Sequence, residues 1–290
     1  MTILSFLELL KYIFLGLIQG LTEVLPISSS GHVEIAKAFL QINADEGILF
    51  LTLVNLGSLI AIVYHFRKLI ISVISETWNF IFFPSLREQS KEGFYYGMKI
   101  LVAAIPTAII GLLFKNSIEQ FYTQYIMFVV AIGLLITSTL LYIVRNSPNK
   151  HVDQNLSFKD SIIIGLVQPF SIFPGLSRSG ITTSTGLLRK VSMDTALSFS
   201  FMLYIPVSFG SFLIFFFQWI LNPTEFNLGF DITNKYQYVY YGFAFLASLI
   251  ATRLSLKYIF SWFRQGKLIW FSVYTMFLGI FALIFAVITY

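Results

Sequence analysis

The chain has 290 residues, 57% of them hydrophobic, 18% aromatic and only 11% charged, with a mean hydropathy of +0.79 and a net charge of +5. Such a composition cannot cover a water-soluble surface with polar groups, so it predicts an all-α polytopic membrane protein. The positive charge is spread through loops, which argues against a nucleic-acid partner, and the lack of cysteine excludes disulfides and thiolate chemistry.

The N-terminus carries neither a basic leader region nor a small-residue cleavage site, so the first apolar run is expected to stay in the mature protein. From Lys11, residues Tyr12 to Leu25 predict a helical arm of roughly 21 Å, short of the ~30 Å hydrocarbon core. A break follows at Pro26, Ser28, Ser29, Ser30 and Gly31, and the next arm, Gly31 to Leu40, is too short to cross and is interrupted by Glu34 and Lys37. Residues 5–42 therefore read as a re-entrant hairpin; the alternative is a first arm that starts near Leu4 and crosses fully. The run Ile48 to Phe66, closed by Arg67 and Lys68, is the first crossing. Residues 67–94 read as an interfacial loop with amphipathic pieces, followed by crossings at 95–114 and 124–144 and a polar linker from Arg145 to Asp160.

The second half repeats this plan, with a hairpin at 159–190 and crossings at 194–218, 237–256 and 268–289. The stretch GLIQGLTEVLPISSSGH from Gly16 aligns with GLVQPFSIFPGLSRSG from Gly165 at an offset of 149, pairing Gln19 with Gln168, Ser28 with Ser177 and Gly31 with Gly180. Each half (1–145 and 157–290 of a single integral membrane domain) thus has one hairpin and an odd number of crossings, which predicts an inverted-topology repeat. The Lys and Arg residues gather on one face: Arg67, Lys68, Arg87 and Lys91; Arg145, Lys150 and Lys159; Arg189 and Lys190; and Arg253, Lys257, Arg264 and Lys267. The opposite face keeps Lys11, Lys37, Lys115 and Lys235. Because basic loops stay cytoplasmic, both termini are expected on the non-cytoplasmic side.

Ionisable groups at breaks inside the membrane mark a site by default. The first hairpin supplies Gln19, Glu23, Ser28, Ser29, Ser30 and His32; the second supplies Gly175, Ser177, Arg178, Ser179 and Thr182. Arg178 is a fixed cation with a donor fork that suits phosphate oxygens, and helix arms starting at the break aim free N–H groups at an anion. Together they point to a phosphate or diphosphate reached from within a bilayer. Plainer readings stand beside this one. Glu23 and Arg178 can form a structural ion pair, His32 can cap the break, and the serines can satisfy freed backbone groups. Gly31, Gly175 and Gly180 fit a conformational role, and Glu34 with Lys37 an interfacial pair.

These motifs resemble the undecaprenyl-diphosphatase family of the BacA/UppP type, named for bacitracin resistance. An acid or amide four residues before a Glu, then P-x-S-S-[ST]-G-H, is present as Gln19, Glu23, Pro26, Ser28, Ser29, Ser30, Gly31 and His32; P-G-x-S-R-S-x-x-T is present as Pro174, Gly175, Ser177, Arg178, Ser179 and Thr182. NLGSLIAIV from Asn55, IPTAIIGLLF from Ile105 and SFSFMLYIP from Ser198 also look like family segments. The resemblance implies hydrolysis of undecaprenyl diphosphate to the monophosphate, which recycles the lipid carrier of cell-wall polymers. It also implies a plasma-membrane location, an outward-facing site and a divalent cation, Mg or Ca. It makes Glu23 a metal-binding or acid–base group, His32 a general acid or base, Ser29 the candidate nucleophile and Arg178 the diphosphate clamp. Ser28, Ser30, Ser177, Ser179, Thr182 and Gly175 would then surround the head group. Many relatives carry Glu where Gln19 stands, so metal ligation through Gln19 would be weaker. Attack by Ser29 or by a water is left open, as is a homo-oligomer.

Two rival functions are weighed against it. A polyprenyl-phosphate transporter or flippase would share the repeat architecture, but has no evident need for a base beside a serine. A lipid phosphatase of the other membrane type needs a His six residues after its Arg, where this chain has Ser184.

Overall fold

The computed structural model describes residues 3–42, 48–147, 156–221, 235–265 and 267–289. Every element among them is helical: α1 (Ile3–Glu23), α2 (Ser29–Leu40), α3 (Ile48–Phe82), α4 (Arg87–Thr123), α5 (Ile126–Val144), α6 (Phe158–Val167), α7 (Arg178–Leu188), α8 (Met193–Leu221), α9 (Lys235–Arg264) and α10 (Leu268–Thr289). Short 3₁₀ turns occupy Pro84–Leu86 and Gln168–Ile172. Six helices, α3, α4, α5, α8, α9 and α10, are long and apolar enough to cross a membrane, and they coincide with the six expected crossings. Large apolar side chains face outward along them, such as Ile280, Ile284 and Ile288 on α10, as lipid contact requires.

Two helix pairs, α1–α2 and α6–α7, are inserted among these six. α1 is amphipathic in an unusual sense: Tyr12, Leu15, Gln19 and Glu23 are buried on one face while Phe6, Leu10, Phe14, Leu17 and Leu21 lie exposed on the other. It begins at Ile3, close to where the alternative reading started its first arm and not at Tyr12, and its 21 residues make it about 31 Å long, so this arm is not too short to cross. It ends before Leu25 and Pro26, where the proline ring forbids continuation. α2 then starts from Ser28, whose side chain accepts the Gly31 N–H at 3.2 Å. The second pair uses the same device. Ser177 caps α7 by accepting the Gly180 N–H at 3.1 Å, and Pro169 lies in the 3₁₀ turn that follows α6. α6 itself opens with a capping box between Ser157 and Asp160.

Small residues set how the pairs dock. A Cβ on Gly16 would fall 2.2 Å from the Ala244 carbonyl oxygen of α9, and one on Gly165 would fall 2.5 Å from the Ala103 carbonyl oxygen of α4. Each pair therefore lies backbone to backbone against a helix of the opposite half. Beneath the two turns, Val24, Ile62, Ile100, Leu141, Phe199, Phe201 and Phe263 form the main apolar core.

One expected element is absent. Residues 67–94 are not an interfacial loop: α3 runs 35 residues and α4 37, or about 52 and 55 Å, broken only around the Pro84–Leu86 turn. Cross-helix contacts stabilise this extension. Glu76 accepts the Gly93 N–H at 2.9 Å, and Phe80 stacks on Phe94 with centroids 4.1 Å apart. The scattered charges that suggested a loop sit on helix surfaces. Of the linker, residues 148–155, including Lys150, lie outside the described residues.

Candidate active site

The turns of the two pairs meet. A Cβ on Gly31 would lie 3.1 Å from the Gly175 Cα, and Ser179 Oγ donates to the Leu25 carbonyl at 3.1 Å. Gly175 has φ +93°, open to glycine at little cost, and a Cβ there would strike the Val130 carbonyl at 2.3 Å. Thr137 of α5 fixes this turn by donating to Gly175 O at 2.9 Å and accepting Ser177 N–H at 3.0 Å. Ser28 also takes a positive φ, 69°, although it is not glycine.

At this junction Glu23 and Arg178 form a buried ion pair, Nη2 to Oε1 at 2.9 Å, with side chains 8% and 14% exposed. The other carboxylate oxygen, Oε2, accepts from Ser29 Oγ at 2.6 Å and Gln19 Nε2 at 2.7 Å. Gln19 Nε2 also donates to Asn55 Oδ1 at 2.8 Å. Arg178 is held from the far side by Tyr204, whose ring centroid lies 3.9 Å from its Cζ, and by the Ser200 carbonyl at 3.4 Å. Thr182 Oγ1 donates to the Arg178 carbonyl at 2.8 Å and shares a 2.6 Å hydrogen bond with Ser200 Oγ.

A cavity of about 200 Å³ opens beside this pair, lined among others by Glu23, Ser28, Ser29, Ser30, Ser177, Arg178 and Ser179. Asn55, Thr107, Gln168, Ser171, Tyr204 and Ser208 complete its polar wall. Glu23 is its one carboxylate, and no cluster of three or more His, Cys, Asp or Glu occurs among the described residues. Two buried polar atoms of the lining, Gln168 Oε1 and the Tyr204 hydroxyl, have no hydrogen-bond partner there. Buried polar groups are normally paired, so both leave hydrogen-bonding capacity on the cavity wall.

The two motifs therefore arrive together, but not every candidate residue faces the cavity. His32 is turned away: Nδ1 meets the Ser28 carbonyl at 2.7 Å and Nε2 the Tyr274 hydroxyl at 2.8 Å. Gln19 presents its amide nitrogen to the carboxylate, not its oxygen. Thr182 and Gly175 support the turn from behind. Conversely, Asn55, Thr107 and Tyr204 stand out in the sequence only as parts of family-like segments, and each of those segments delivers one residue to the cavity. Gln168 was visible as the repeat partner of Gln19.

A family model described as bacitracin resistance protein BacA matches residues 12–281. The chain is 40% identical to undecaprenyl-diphosphatase 3 of Bacillus anthracis over 281 residues, covering 97% of this chain and 99% of that one. It is 37% identical to undecaprenyl-diphosphatase of Oceanobacillus iheyensis, covering 97% and 98%, and 35% identical to undecaprenyl-diphosphatase of Acholeplasma laidlawii, covering 94% and 96%. With the match extending over both helix pairs and all six crossing helices, the chain belongs to the BacA family of bacitracin resistance proteins.

Proposed function

We propose that the protein hydrolyses undecaprenyl diphosphate to undecaprenyl phosphate and inorganic phosphate. The observation that carries this reading is Glu23 bound at once by Ser29 of the first turn and Arg178 of the second, at the edge of a hydroxyl-lined cavity. The names of the relatives point the same way. Nucleophile and base lie within hydrogen-bond reach, the arrangement that covalent catalysis needs. In the free protein Arg178 ties down the carboxylate. When a diphosphate enters, the guanidinium turns its donors to phosphoryl oxygens and releases the Glu23 oxygen it held, leaving the carboxylate free to serve Ser29. Glu23 then takes the Ser29 proton while Ser29 Oγ bonds to the terminal phosphorus and the bond to the bridging oxygen breaks. Undecaprenyl phosphate leaves, and water releases the phosphate from Ser29. Gln19 and Asn55 hold Glu23 in place, and His32 anchors the turn through Ser28 and Tyr274.

A divalent cation, Mg or Ca, fits this donor set only as a companion of the substrate. Glu23 is the residue that would hold it, with diphosphate oxygens supplying most other ligands, as is common for Mg. When bound, the cation neutralises phosphoryl charge.

We further infer that the two pairs are re-entrant and that residues 1–145 and 157–290 are inverted repeats within one membrane domain. In support, the 149-residue offset pairs Ser28 with Ser177 and Gly31 with Gly180, and each serine side chain accepts the N–H of the glycine three residues on. Each half also has three crossing helices. The basic face is cytoplasmic, both termini are outside, and the cavity is reached from the outer leaflet.

The test is phosphate release by purified protein from undecaprenyl diphosphate, with Mg or Ca and with a chelator. Metal-dependent release is expected. A folded protein that releases none, yet moves polyprenyl phosphate across vesicle bilayers, would replace hydrolysis with transport.

A further inference from the structure

Tyr204 is a side chain of the cavity for which the catalytic scheme has no use. It sits on α8, fully inside the protein, with its ring against the Arg178 guanidinium at 3.9 Å. Its hydroxyl is buried and has no hydrogen-bond partner among the described residues. Glu23 and Ser208 are its polar neighbours and both interact with it, but neither holds the hydroxyl at full hydrogen-bond distance and angle. Both oxygens of Glu23 are already engaged, one by Arg178 and the other by Ser29 and Gln19.

A buried tyrosine O–H ordinarily finds an acceptor, because an unpaired one is costly. Phenylalanine would provide the same cation–π platform without that cost, so the hydroxyl is the part that the resting structure does not explain. The cavity that Tyr204 lines can bring a better-placed acceptor to it. The groups already there, a guanidinium and several hydroxyls, select an acceptor-rich anion.

We propose that Tyr204 is the second arm of the diphosphate clamp: its ring fixes the plane of Arg178, and its hydroxyl donates to a phosphoryl oxygen of the bound diphosphate. This rests on reading the cavity as a diphosphate site. The donor acts on both the bound substrate and the transition state, so it contributes to affinity more than to the chemical step.

The experiment compares full-length wild type, Tyr204→Phe and Tyr204→Leu in detergent. It measures inorganic pyrophosphate binding by calorimetry, phosphate release from undecaprenyl diphosphate, and thermal unfolding. Tyr204→Phe is expected to bind pyrophosphate about tenfold more weakly and to raise KM by about the same factor, with kcat nearly unchanged, as loss of one hydrogen bond to a charged group predicts. Its Tm should equal or exceed that of wild type, because an unsatisfied hydroxyl has been removed. Tyr204→Leu should also lose kcat, since Arg178 then lacks its platform. Wild-type affinity and KM in Tyr204→Phe would overturn the proposal. So would a fall in Tm that accounts for the loss, or the absence of pyrophosphate binding by folded wild type. If wild type binds pyrophosphate through Tyr204 but releases no phosphate from the lipid, the clamp stands and the hydrolase reading falls. Turnover that is indifferent to Tyr204→Phe leaves the hydrolase and removes the clamp.

Discussion

At the scale of single residues the site depends on charges that satisfy one another in a place with little water. Breaking a buried ion pair strands the remaining charge, so Glu23→Gln and Arg178→Gln should each cost on the order of 3 kcal/mol of stability. The paired change Glu23→Leu with Arg178→Met should restore much of it while remaining inactive; chemical denaturation reads both. Backbone conformation gives a second residue-level expectation. Gly175→Ala places a Cβ at φ +93° and against the Val130 carbonyl, so it should lose about 2 kcal/mol from conformation alone and more from the clash. Ser28 is milder. Ser28→Ala loses the cap at about 1 kcal/mol and keeps the strain at φ 69°, whereas Ser28→Gly loses only a few tenths. An order Gly above Ala in Tm would bear this out, and the reverse order would remove the strain.

At the scale of elements, α6 and α7 are tied by Arg189 Nε to Asp160 Oδ1 at 2.8 Å, with Asp160 also closing the capping box. Burial would raise the Asp160 carboxyl, but hydrogen bonds from Ser157 and Arg189 outweigh it and hold the group below its usual value. A depressed carboxyl stabilises the fold above its unfolded value and loses that contribution as pH falls through its folded one. The Tm difference between wild type and Asp160→Asn should therefore be full at neutral pH and shrink below the ordinary carboxylate range. The α3–α4 extension makes a sharper contrast with the sequence reading. Ser75→Pro, at an exposed position inside α3, should destabilise by about 3 kcal/mol, whereas a loop at 67–94 would tolerate it. The loop expectation arose because Trp78, Pro84, Arg87, Glu88, Lys91 and Glu92 make the segment mixed in character. What turns these residues into paired helices is the Glu76 to Gly93 hydrogen bond and the Phe80–Phe94 stack, both joining positions distant in sequence.

At the scale of the whole molecule, much was legible because the bilayer leaves few options. Apolar run lengths gave the six long helices, and the Pro- and Ser-containing breaks gave the two helix pairs, although the first arm is longer than its apolar run from Tyr12 suggested. The meeting of Glu23 with Arg178, 155 positions apart, followed from pairing one acidic and one basic break. Tyr204 and Asn55 were not legible as site residues, because an aromatic and an amide on crossing helices look the same whether they face lipid, core or cavity. His32 looked catalytic beside three serines, yet helix geometry carries its ring round to Tyr274. The topology makes its own prediction. The chain has no native cysteine, so Thr2→Cys should react with an impermeant maleimide in intact cells and Lys150→Cys only after lysis. Equal reactivity of both would contradict the proposed orientation.

The central claim is that the two turns form one reaction centre around Glu23. The measurement that reads it most directly is the phosphate-release rate of folded Ser29→Ala, Arg178→Ala and the combined variant on undecaprenyl diphosphate. Each single change should cost at least about a hundredfold, and the pair should be little worse than the weaker single, as expected of residues acting as a unit. Near wild-type turnover with either turn altered would contradict the account.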